Sequence, residues 1–263
     1  PQVNGLIWIL SSGTSAVNEV KAIGIRKAAL LASARAVNRH LRSDAADRWL
    51  LTLPVYHVGG LGILARSHLS KAEVFQLGSW SAEAFAQAVE NLGITLTSLV
   101  PTQVHDLVTS RLIAPKSLRA IVTGGGALDP SLYKQARDLG WPLLPSYGLT
   151  ECGSQVATAS LSSLKQKMFP PLEVLPHAEV KTADGRILVR ADSACDFIAR
   201  VRSTGEYSLE YPLVGGWLRT EDLGEVQTGR MRVLGRRDDV VKILGELVSV
   251  NQVEHEARSC FSM

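Results

Sequence analysis

The chain has 263 residues, of which 46% are hydrophobic and 20% charged, and its formal net charge is +3. This composition is typical of a globular protein and excludes a disordered or fibrous chain; the length fits one large α/β domain or two smaller ones. The 28 lysines and arginines form no basic run, so we expect no nucleic-acid partner.

Signals of membrane, secreted and zinc-binding proteins are missing from the sequence. No apolar stretch approaches the ~20 residues that span a bilayer, and the opening residues do not resemble a signal peptide. Cys152, Cys195 and Cys260 lie far apart without CxxC spacing, which predicts reduced thiols rather than disulfides or a zinc site. We therefore expect a cytoplasmic protein without a membrane partner, and the formation of a homo-oligomer is left open.

Strand-like and helix-like segments alternate through residues 1–160. The predicted strands are GLIWIL (5–10), DRWLLTLP (47–54), KAEVFQLG (71–78), ITLTSLVP (94–101), LRAIVT (118–123) and WPLLPSYG (141–148). The predicted helices are residues 27–41, 59–72, 81–93, 101–111 and 129–140, with Ser81 and Asp129 as N-caps, Pro130 at a first helical position and Gly93 as a helix end. This alternation predicts an α/β fold with a mostly parallel sheet covered by helices.

Shorter strands and turns follow residue 160. Asp184-Gly185 in AEVKTADGRILVRA is a strong hairpin signal. We therefore predict an α/β core over residues 1–160, a smaller β-rich subdomain over 161–236 and a separate segment over 237–263.

Three polar segments follow predicted strands of the first region. Ligands of such sheets bind where the strands end, and residues 11–15, 124–126 and 146–151 all fall there. The loop of Ser11, Ser12, Gly13, Thr14 and Ser15 offers hydroxyls and backbone N–H groups to phosphate oxygens. It lacks the Walker pattern, and Gly124, Gly125 and Gly126 lack the GxGxxG fingerprint, so ordinary connections explain both loops equally well when each is taken alone.

The segment SYGLTE is more informative. Tyr147 could stack on a purine, Gly148 lets backbone approach a ligand, the Thr150 hydroxyl can bind phosphate, and Glu151 can hold Mg²⁺. The alternative interpretation is a strand end with a capping Thr-Glu pair. We interpret Cys152, which follows Glu151, as a packing residue.

SSGTS, YGLTE and GWLRTEDLGEV…GRRDDVVKILGE occur in the order and approximate spacing of the adenylate-forming enzymes, the acyl-CoA synthetase and luciferase superfamily, which the chain resembles over nearly its whole length. Within it, LPVYHVGGLGILARS and TGGGALDPSLYKQARDLGWPLLPSYGLTECGSQVATAS are most similar to the o-succinylbenzoate-CoA ligases of menaquinone biosynthesis. The resemblance implies the large N-terminal part of that fold, with residues 237–263 as the hinge and start of a C-terminal domain that is largely absent.

The resemblance also implies a reaction. An aryl carboxylic acid, here o-succinylbenzoate, reacts with ATP and Mg²⁺ to give an acyl-adenylate and pyrophosphate, and the thiol of CoA then displaces AMP. Two alternatives stay open: adenylation of another aryl acid or an amino acid, and a degenerate AMP-binding module without turnover.

Nucleotide-site roles follow from the same resemblance. Tyr147 would stack on adenine, Thr150 would bind a phosphate oxygen, and Glu151 would hold Mg²⁺ against the pyrophosphate. Asp222 in RTEDLG would accept hydrogen bonds from ribose hydroxyls, and Arg236 would add a cationic contact. By the same resemblance, Asp238 lies at the hinge of the C-terminal domain.

The acyl site is implied by resemblance as well. Gly124, Gly125 and Gly126 match the wall of the acyl pocket, and His57 matches a catalytic histidine at the junction of acyl group and pantetheine. Arg66 would hold the second carboxylate of o-succinylbenzoate. The alternatives are a core histidine at position 57 and a solvated surface arginine at position 66.

Two departures from the superfamily pattern favour the module without turnover. The phosphate loop usually continues T-G-x-P-K, whereas this chain has Ala16 and no Pro-Lys pair, so Lys21 would substitute two positions late. The C-terminal lysine that assists adenylation has no counterpart in this sequence.

Overall fold

The computed structural model describes residues 5–11, 19–237, 240–243 and 246–249. Its helices are α1 (Lys27–Leu41), α2 (Val58–Ser70), α3 (Ala82–Leu92), α4 (Pro101–Thr109) and α5 (Pro130–Asp138). Its first strands are β1 (Leu6–Ser11), β2 (Glu19–Arg26), β3 (Arg48–Leu51), β4 (Glu73–Gln76), β5 (Leu96–Leu99), β6 (Ala120–Thr123), β7 (Leu143–Leu149) and β8 (Ser154–Thr158). The later strands are β9 (Leu172–Val174), β10 (Ala178–Ala183), β11 (Arg186–Ala191), β12 (Phe197–Arg202), β13 (Tyr207–Glu210), β14 (Leu213–Val214), β15 (Trp217–Gln227), β16 (Arg230–Arg236), β17 (Val240–Ile243) and β18 (Glu246–Ser249).

Five parallel strands form one half of the main sheet, in the order β4-β3-β5-β6-β7. The predicted helices lie between them in sequence and begin and end near the predicted residues. The Ser81 side chain caps α3 by accepting from the Ala84 N–H, and Gly93 ends that helix with a left-handed φ of 59°. Asp129 caps α5 by accepting from two backbone N–H groups. The predictions for these helices are confirmed.

Antiparallel strands continue the same sheet beyond β7, in the order β8-β9-β16-β15-β11-β10, with β14 beside β15. The hairpin between β10 and β11 turns at Asp184 and Gly185, whose φ angles are 52° and 74°. Two consecutive positive φ angles suit the right-handed twist of the flanking strands. The hairpin prediction is therefore confirmed.

A separate four-stranded sheet has the order β1-β2-β12-β13. The sequence did not reveal β2, which returns antiparallel to β1 with Ser11 opposite Lys21. The expectation that Ser11 lies at the end of a parallel strand is wrong, because β1 pairs antiparallel with β2 at one edge of this separate sheet. Strand β2 pairs with β12 across the predicted boundary at residue 160; the division into domains remains a prediction.

Buried apolar side chains form three clusters around these sheets. One includes Trp49 and Leu144, a second includes Phe85 and Trp141, and the third includes Ile23. Burying each such side chain contributes ~1.5–3 kcal/mol, and this packing fixes the strand ends that carry the polar motifs. Within the described ranges, no helix has the length and apolar character needed to cross a membrane.

Candidate active site

Tyr147 and Asp222 meet through their side chains. The Tyr147 hydroxyl donates to Oδ2 of Asp222 over 2.6 Å, and these residues lie on β7 and β15. Only 8% of Tyr147 is exposed, and its ring packs within the main core cluster. Burial, together with the charge of Asp222, raises the pKa of the Tyr147 hydroxyl, which therefore stays protonated as a donor.

Glu151 lies beside a lysine from the hairpin that carries the predicted phosphate loop. The Nζ atom of Lys21 is 2.5 Å from Oε1 of Glu151, in a pair that is about one-fifth exposed. The Glu151 carbonyl oxygen accepts from the Cys195 N–H at 2.7 Å, which holds the short helical turn Thr150–Cys152 in place. Ser11, the last described residue before the predicted phosphate loop, is opposite Lys21 in the β1–β2 register.

Glycine is required where backbone segments approach each other at this edge. A Cβ atom at Gly148 would lie 2.0 Å from the Ser154 carbonyl oxygen, and one at Gly124 would lie 2.8 Å from the Ser146 hydroxyl oxygen. Gly125 has a φ of 79°, a conformation that residues with a side chain rarely adopt. Gly124 thus lies against the strand that carries the SYGLTE segment, whereas Gly125 and Gly126 face Val100 and Pro101 at the start of α4.

Arg66 projects from α2 into the interior. It is 2% exposed, its guanidinium carbon lies 5.6 Å from the centroid of the Trp49 ring, and its Nη1 is 3.5 Å from the Ser98 hydroxyl. Within the described part of the chain, no carboxylate pairs with Arg66, and its Nε has no hydrogen-bond partner. Burial lowers the pKa of Arg66 to about 10, so the side chain is still charged at neutral pH. The surface-arginine alternative is therefore wrong.

Other predicted residues lie in less enclosed positions. His57 is exposed at the N-terminus of α2, with its ring centroid 4.7 Å from that of Tyr56, so it is not a core histidine. Arg236 is exposed and lies opposite Asp222 in the β15–β16 register. Thr150 is half-buried. Ser12, Gly13, Thr14, Ser15 and Asp238 lie outside the described residues.

The sequence analysis did not identify the residues that surround Arg66. Ser98 is the third residue of the buried strand β5 and Trp49 lies within β3, so neither resembles a polar motif. The available signal was position: Ser98 is next to the last residue of β5, at the sheet edge where Gly124 also lies. Cys152 is fully buried, and burial raises the pKa of its thiol well above the usual value. Its burial agrees with a packing role.

An α/β sheet that gathers glycines, an acidic side chain and a basic one at the ends of its strands defines a ligand-binding α/β protein. A family model described as AMP-binding enzyme matches residues 5–190. The chain therefore belongs to the family of AMP-binding enzymes, which confirms the superfamily that the sequence motifs indicated.

Curated relatives with similar sequences include 2-succinylbenzoate-CoA ligases. The Escherichia coli (strain K12) enzyme is 33% identical over 239 residues, covering 88% of this chain and 49% of the relative. The Bacillus cytotoxicus enzyme is 32% identical over 232 residues, covering 83% of this chain and 47% of the relative. The chain thus spans about half the length of the curated relatives it matches.

Solved structures of the same group have the same fold. O-succinylbenzoate coenzyme A synthetase (MenE) from Bacillus subtilis, in complex with AMP, matches with a TM-score of 0.80 and 27% identity, covering 94% of this chain and 53% of that one. Wild-type E. coli MenE, with a bound phenylether-linked analogue of OSB-AMS, matches with a TM-score of 0.74 and 31% identity, covering 94% and 51%. The predicted α/β fold is confirmed.

Proposed function

We propose that the protein activates o-succinylbenzoate with ATP to an acyl-adenylate and then transfers the acyl group to CoA, in menaquinone biosynthesis. The names of the relatives support this reaction, as do related B. subtilis MenE structures with ATP and magnesium and with the acyl-adenylate OSB-AMP. We also propose a cytoplasmic location, where ATP, CoA and reduced thiols are found together.

The observation that carries this choice of acid is the buried charge of Arg66, which pairs with no carboxylate among the described residues. Burying a cation without a counter-ion is costly, so the fold retains this arginine at a price in stability. A ligand carboxylate reaching Arg66 would offset that cost, and the planar guanidinium can bind it through two parallel hydrogen bonds. o-Succinylbenzoate has a second carboxylate for this role after the first has been activated.

The nucleotide would bind at the edge where Tyr147, Thr150 and Asp222 lie. Asp222 would accept hydrogen bonds from the ribose hydroxyls, Thr150 would donate to a phosphate oxygen, and Arg236 would contact the ribose and phosphate side. Stacking of adenine on Tyr147 remains a prediction. Only 8% of Tyr147 is exposed, so little of the residue is open to a base.

Glu151 fits a magnesium ion, because Mg²⁺ in nucleotide sites usually takes one or two protein carboxylates and completes its shell with phosphate oxygens and water. When bound, the ion would stabilise charge on the leaving pyrophosphate. Glu151 would then give up Lys21 as its partner, and the freed ammonium could donate to a phosphate oxygen. Lys21 thereby supplies the charge that the altered phosphate loop lacks in sequence.

Exposed His57 is our proposed catalytic residue at the acyl and pantetheine junction. His57 is the N-cap residue of the helix that carries Arg66, and it lies nine positions before Arg66. The helix therefore connects the proposed thioester-forming step to the residue that would hold the acid.

A second candidate function is an AMP-binding module without turnover. The observation that favours it is the direct ion pair between Lys21 and Glu151, which already neutralises the proposed metal ligand. Such a module would bind AMP and release no pyrophosphate.

Pyrophosphate release separates the candidates. The protein would be given ATP, Mg²⁺ and a panel of acids: o-succinylbenzoate, benzoates with one carboxylate, and amino acids, each with and without CoA. The proposal expects release that depends on o-succinylbenzoate, and a thioester only when CoA is present. AMP binding with no acid-dependent release would replace the proposal by the module, and a preference for another acid would replace the substrate.

A further inference from the structure

The hydrogen bond between Tyr147 and Asp222 joins strands that are far apart in the main sheet. Strands β8, β9 and β16 separate β7 from β15 in the strand order. Each of the two residues lies beside an irregular register, at Tyr147/Gly148 on β7 and at Leu223/Gly224 on β15. Such irregularities bend a strand and re-aim its side chains, and here the bent strands bring hydroxyl and carboxylate together.

Packing in the core holds the Tyr147 ring in place independently of its hydrogen bond to Asp222. Only 8% of the residue is exposed and its ring lies in the main core cluster, so the surrounding side chains leave it little rotational freedom. An O–H···O⁻ hydrogen bond with a 2.6 Å separation lies in the short range of charge-assisted bonds. A rigid donor therefore selects one orientation of the Asp222 side chain.

The aspartate is also held through its backbone, and it keeps capacity for a ligand. The Asp222 N–H donates to the Thr220 hydroxyl oxygen at 3.1 Å, and that hydroxyl in turn donates to the Ile187 carbonyl oxygen at 2.8 Å. A carboxylate has about four lone-pair sites, of which Tyr147 uses one on Oδ2. Oδ1 and the remaining lone pairs can accept further donors.

We propose that Tyr147 is a positioning residue whose hydroxyl orients the Asp222 carboxylate toward two neighbouring hydroxyls of a ribose. This inference rests on the proposed nucleotide site and adds a role that ring stacking does not require. A stacking ring needs no hydroxyl, whereas a ribose-binding carboxylate gains from being held in one rotamer before the ligand arrives.

The test compares nucleotides that differ only in the ribose. Binding of AMP and of 2′,3′-dideoxy-AMP to the full chain would be measured by titration calorimetry, so that no turnover is needed. Tyr147→Phe keeps the ring and removes the hydroxyl. Tyr133→Phe is the matched control, because it removes the hydroxyl of a fully buried tyrosine on α5 whose ring packs against Phe169. Asp222→Ala removes the proposed ribose acceptor.

The inference expects wild type and Tyr133→Phe to prefer AMP over the dideoxy nucleotide by a common factor. Tyr147→Phe should bind AMP about tenfold more weakly, the loss of one charge-assisted hydrogen bond, and should bind the dideoxy nucleotide within about twofold of wild type. Asp222→Ala should abolish the preference, and adding Tyr147→Phe to it should weaken AMP binding no further.

Three results would overturn the inference, each in a different way. A full preference in Tyr147→Phe that is lost in Asp222→Ala would show that Asp222 binds ribose without help from Tyr147. Equal losses for both nucleotides in Tyr147→Phe would assign the hydroxyl to packing. A wild type that binds no AMP, or does not distinguish the two sugars, would remove the proposed nucleotide site and this inference with it.

Discussion

The two edges of the parallel strands satisfy their buried charged groups to different degrees. At the amino edge, Asp47, Thr95 and Arg119 each immediately precede a strand. Arg119 donates to both carboxylate oxygens of Asp47, over 2.8 and 2.6 Å, and Thr95 donates to one of them over 2.7 Å. Arg119 also reaches the Leu41 carbonyl oxygen at 2.7 Å. This network closes on itself and leaves little for a ligand.

The carboxyl edge contains charged groups that the chain alone satisfies less completely. Arg66 is more deeply buried than Arg119, yet no carboxylate among the described residues pairs with it. The hydroxyls of Thr123 at this edge and of Ser43 at the amino edge are both buried without a hydrogen-bond partner in the described part of the chain, so the difference between the edges lies in their charged groups. The comparison teaches that a paired buried charge marks stability, whereas an unpaired one marks a place for a ligand.

Removing the carboxylate of Glu151 should have the largest effect. Glu151→Ala should fold normally, because this carboxylate is partly exposed, and should lose roughly 10² or more in pyrophosphate release, the usual cost of removing electrostatic stabilisation from developing charge. Glu179→Ala is the control, since Glu179 pairs with Arg190 on the surface strands β10 and β11. Unchanged release in Glu151→Ala would remove Glu151 from the mechanism.

Breaking the amino-edge network should change stability and leave activity alone. Asp47→Asn leaves Arg119 without its charged partner, and we expect a loss of about 2 kcal/mol in the free energy of unfolding. Breaking a fully buried pair costs ~3–5 kcal/mol, and the expectation is smaller because Arg119 is one-third exposed. Urea unfolding checks the value, and kcat/KM of the folded protein should not change. A large fall in kcat/KM would place this edge in the active site.

The same network predicts a dependence of stability on pH. Burial acts to raise the pKa of Asp47, but the hydrogen bonds from Arg119 and Thr95 outweigh it and hold the pKa below its usual 3.8. The contribution to stability is therefore complete above pH ~4 and is lost as the pH falls through the lowered pKa. The difference in unfolding free energy between wild type and Asp47→Asn should shrink over that range. A constant difference down to pH 2 would contradict the assignment.

Replacing Arg66 tests the carboxyl edge by comparing acids that have two carboxylates with acids that have one. Arg66→Met removes the charge and keeps much of the volume, so kcat/KM for o-succinylbenzoate should fall about 10- to 100-fold, the range for losing a charged hydrogen bond. Benzoates with one carboxylate should lose little, and Arg66→Lys should recover only part of the loss because lysine cannot bind a carboxylate bidentately. Equal losses for both kinds of acid would mean that Arg66 is structural.

Replacing Asp222 should have the smallest effect on the rate of the chemical step. Ribose contacts are made in the ground state and the transition state alike, so Asp222→Ala should raise the KM for ATP about tenfold and change kcat much less. Steady-state kinetics with varied ATP measure both constants. Equal KM values for wild type and variant would contradict the ribose role.

Local features were predictable because their causes are local. The pattern of α3 and α5 includes apolar spacing, a capping side chain and a terminating residue, all within one segment of sequence. Strand β2 was missed because its place in a sheet depends on pairing with β1 and with β12, which lies far along the chain. The burial of Arg66 likewise depends on β3 and β5, which supply Trp49 and Ser98.

Contacts between residues of different motifs could not be predicted from the sequence. Lys21 and Glu151 are 130 positions apart, and Tyr147 and Asp222 are 75 apart, so neither pair has a local signal. The network of Asp47, Thr95 and Arg119 did have a signal in the sequence, which was overlooked. Each residue directly precedes a parallel strand, and such positions meet at the same edge of the sheet.

Hydrogen–deuterium exchange with and without ATP, Mg²⁺ and o-succinylbenzoate tests the difference between the two edges most directly. The account predicts slower exchange with ligands in residues 60–67, 122–127 and 146–152, which belong to the carboxyl edge and the Arg66 helix. Residues 42–48, 92–96 and 115–120 of the amino edge should exchange at unchanged rates. Protection confined to the amino edge, or none at the carboxyl edge when ligands are saturating, would contradict the account.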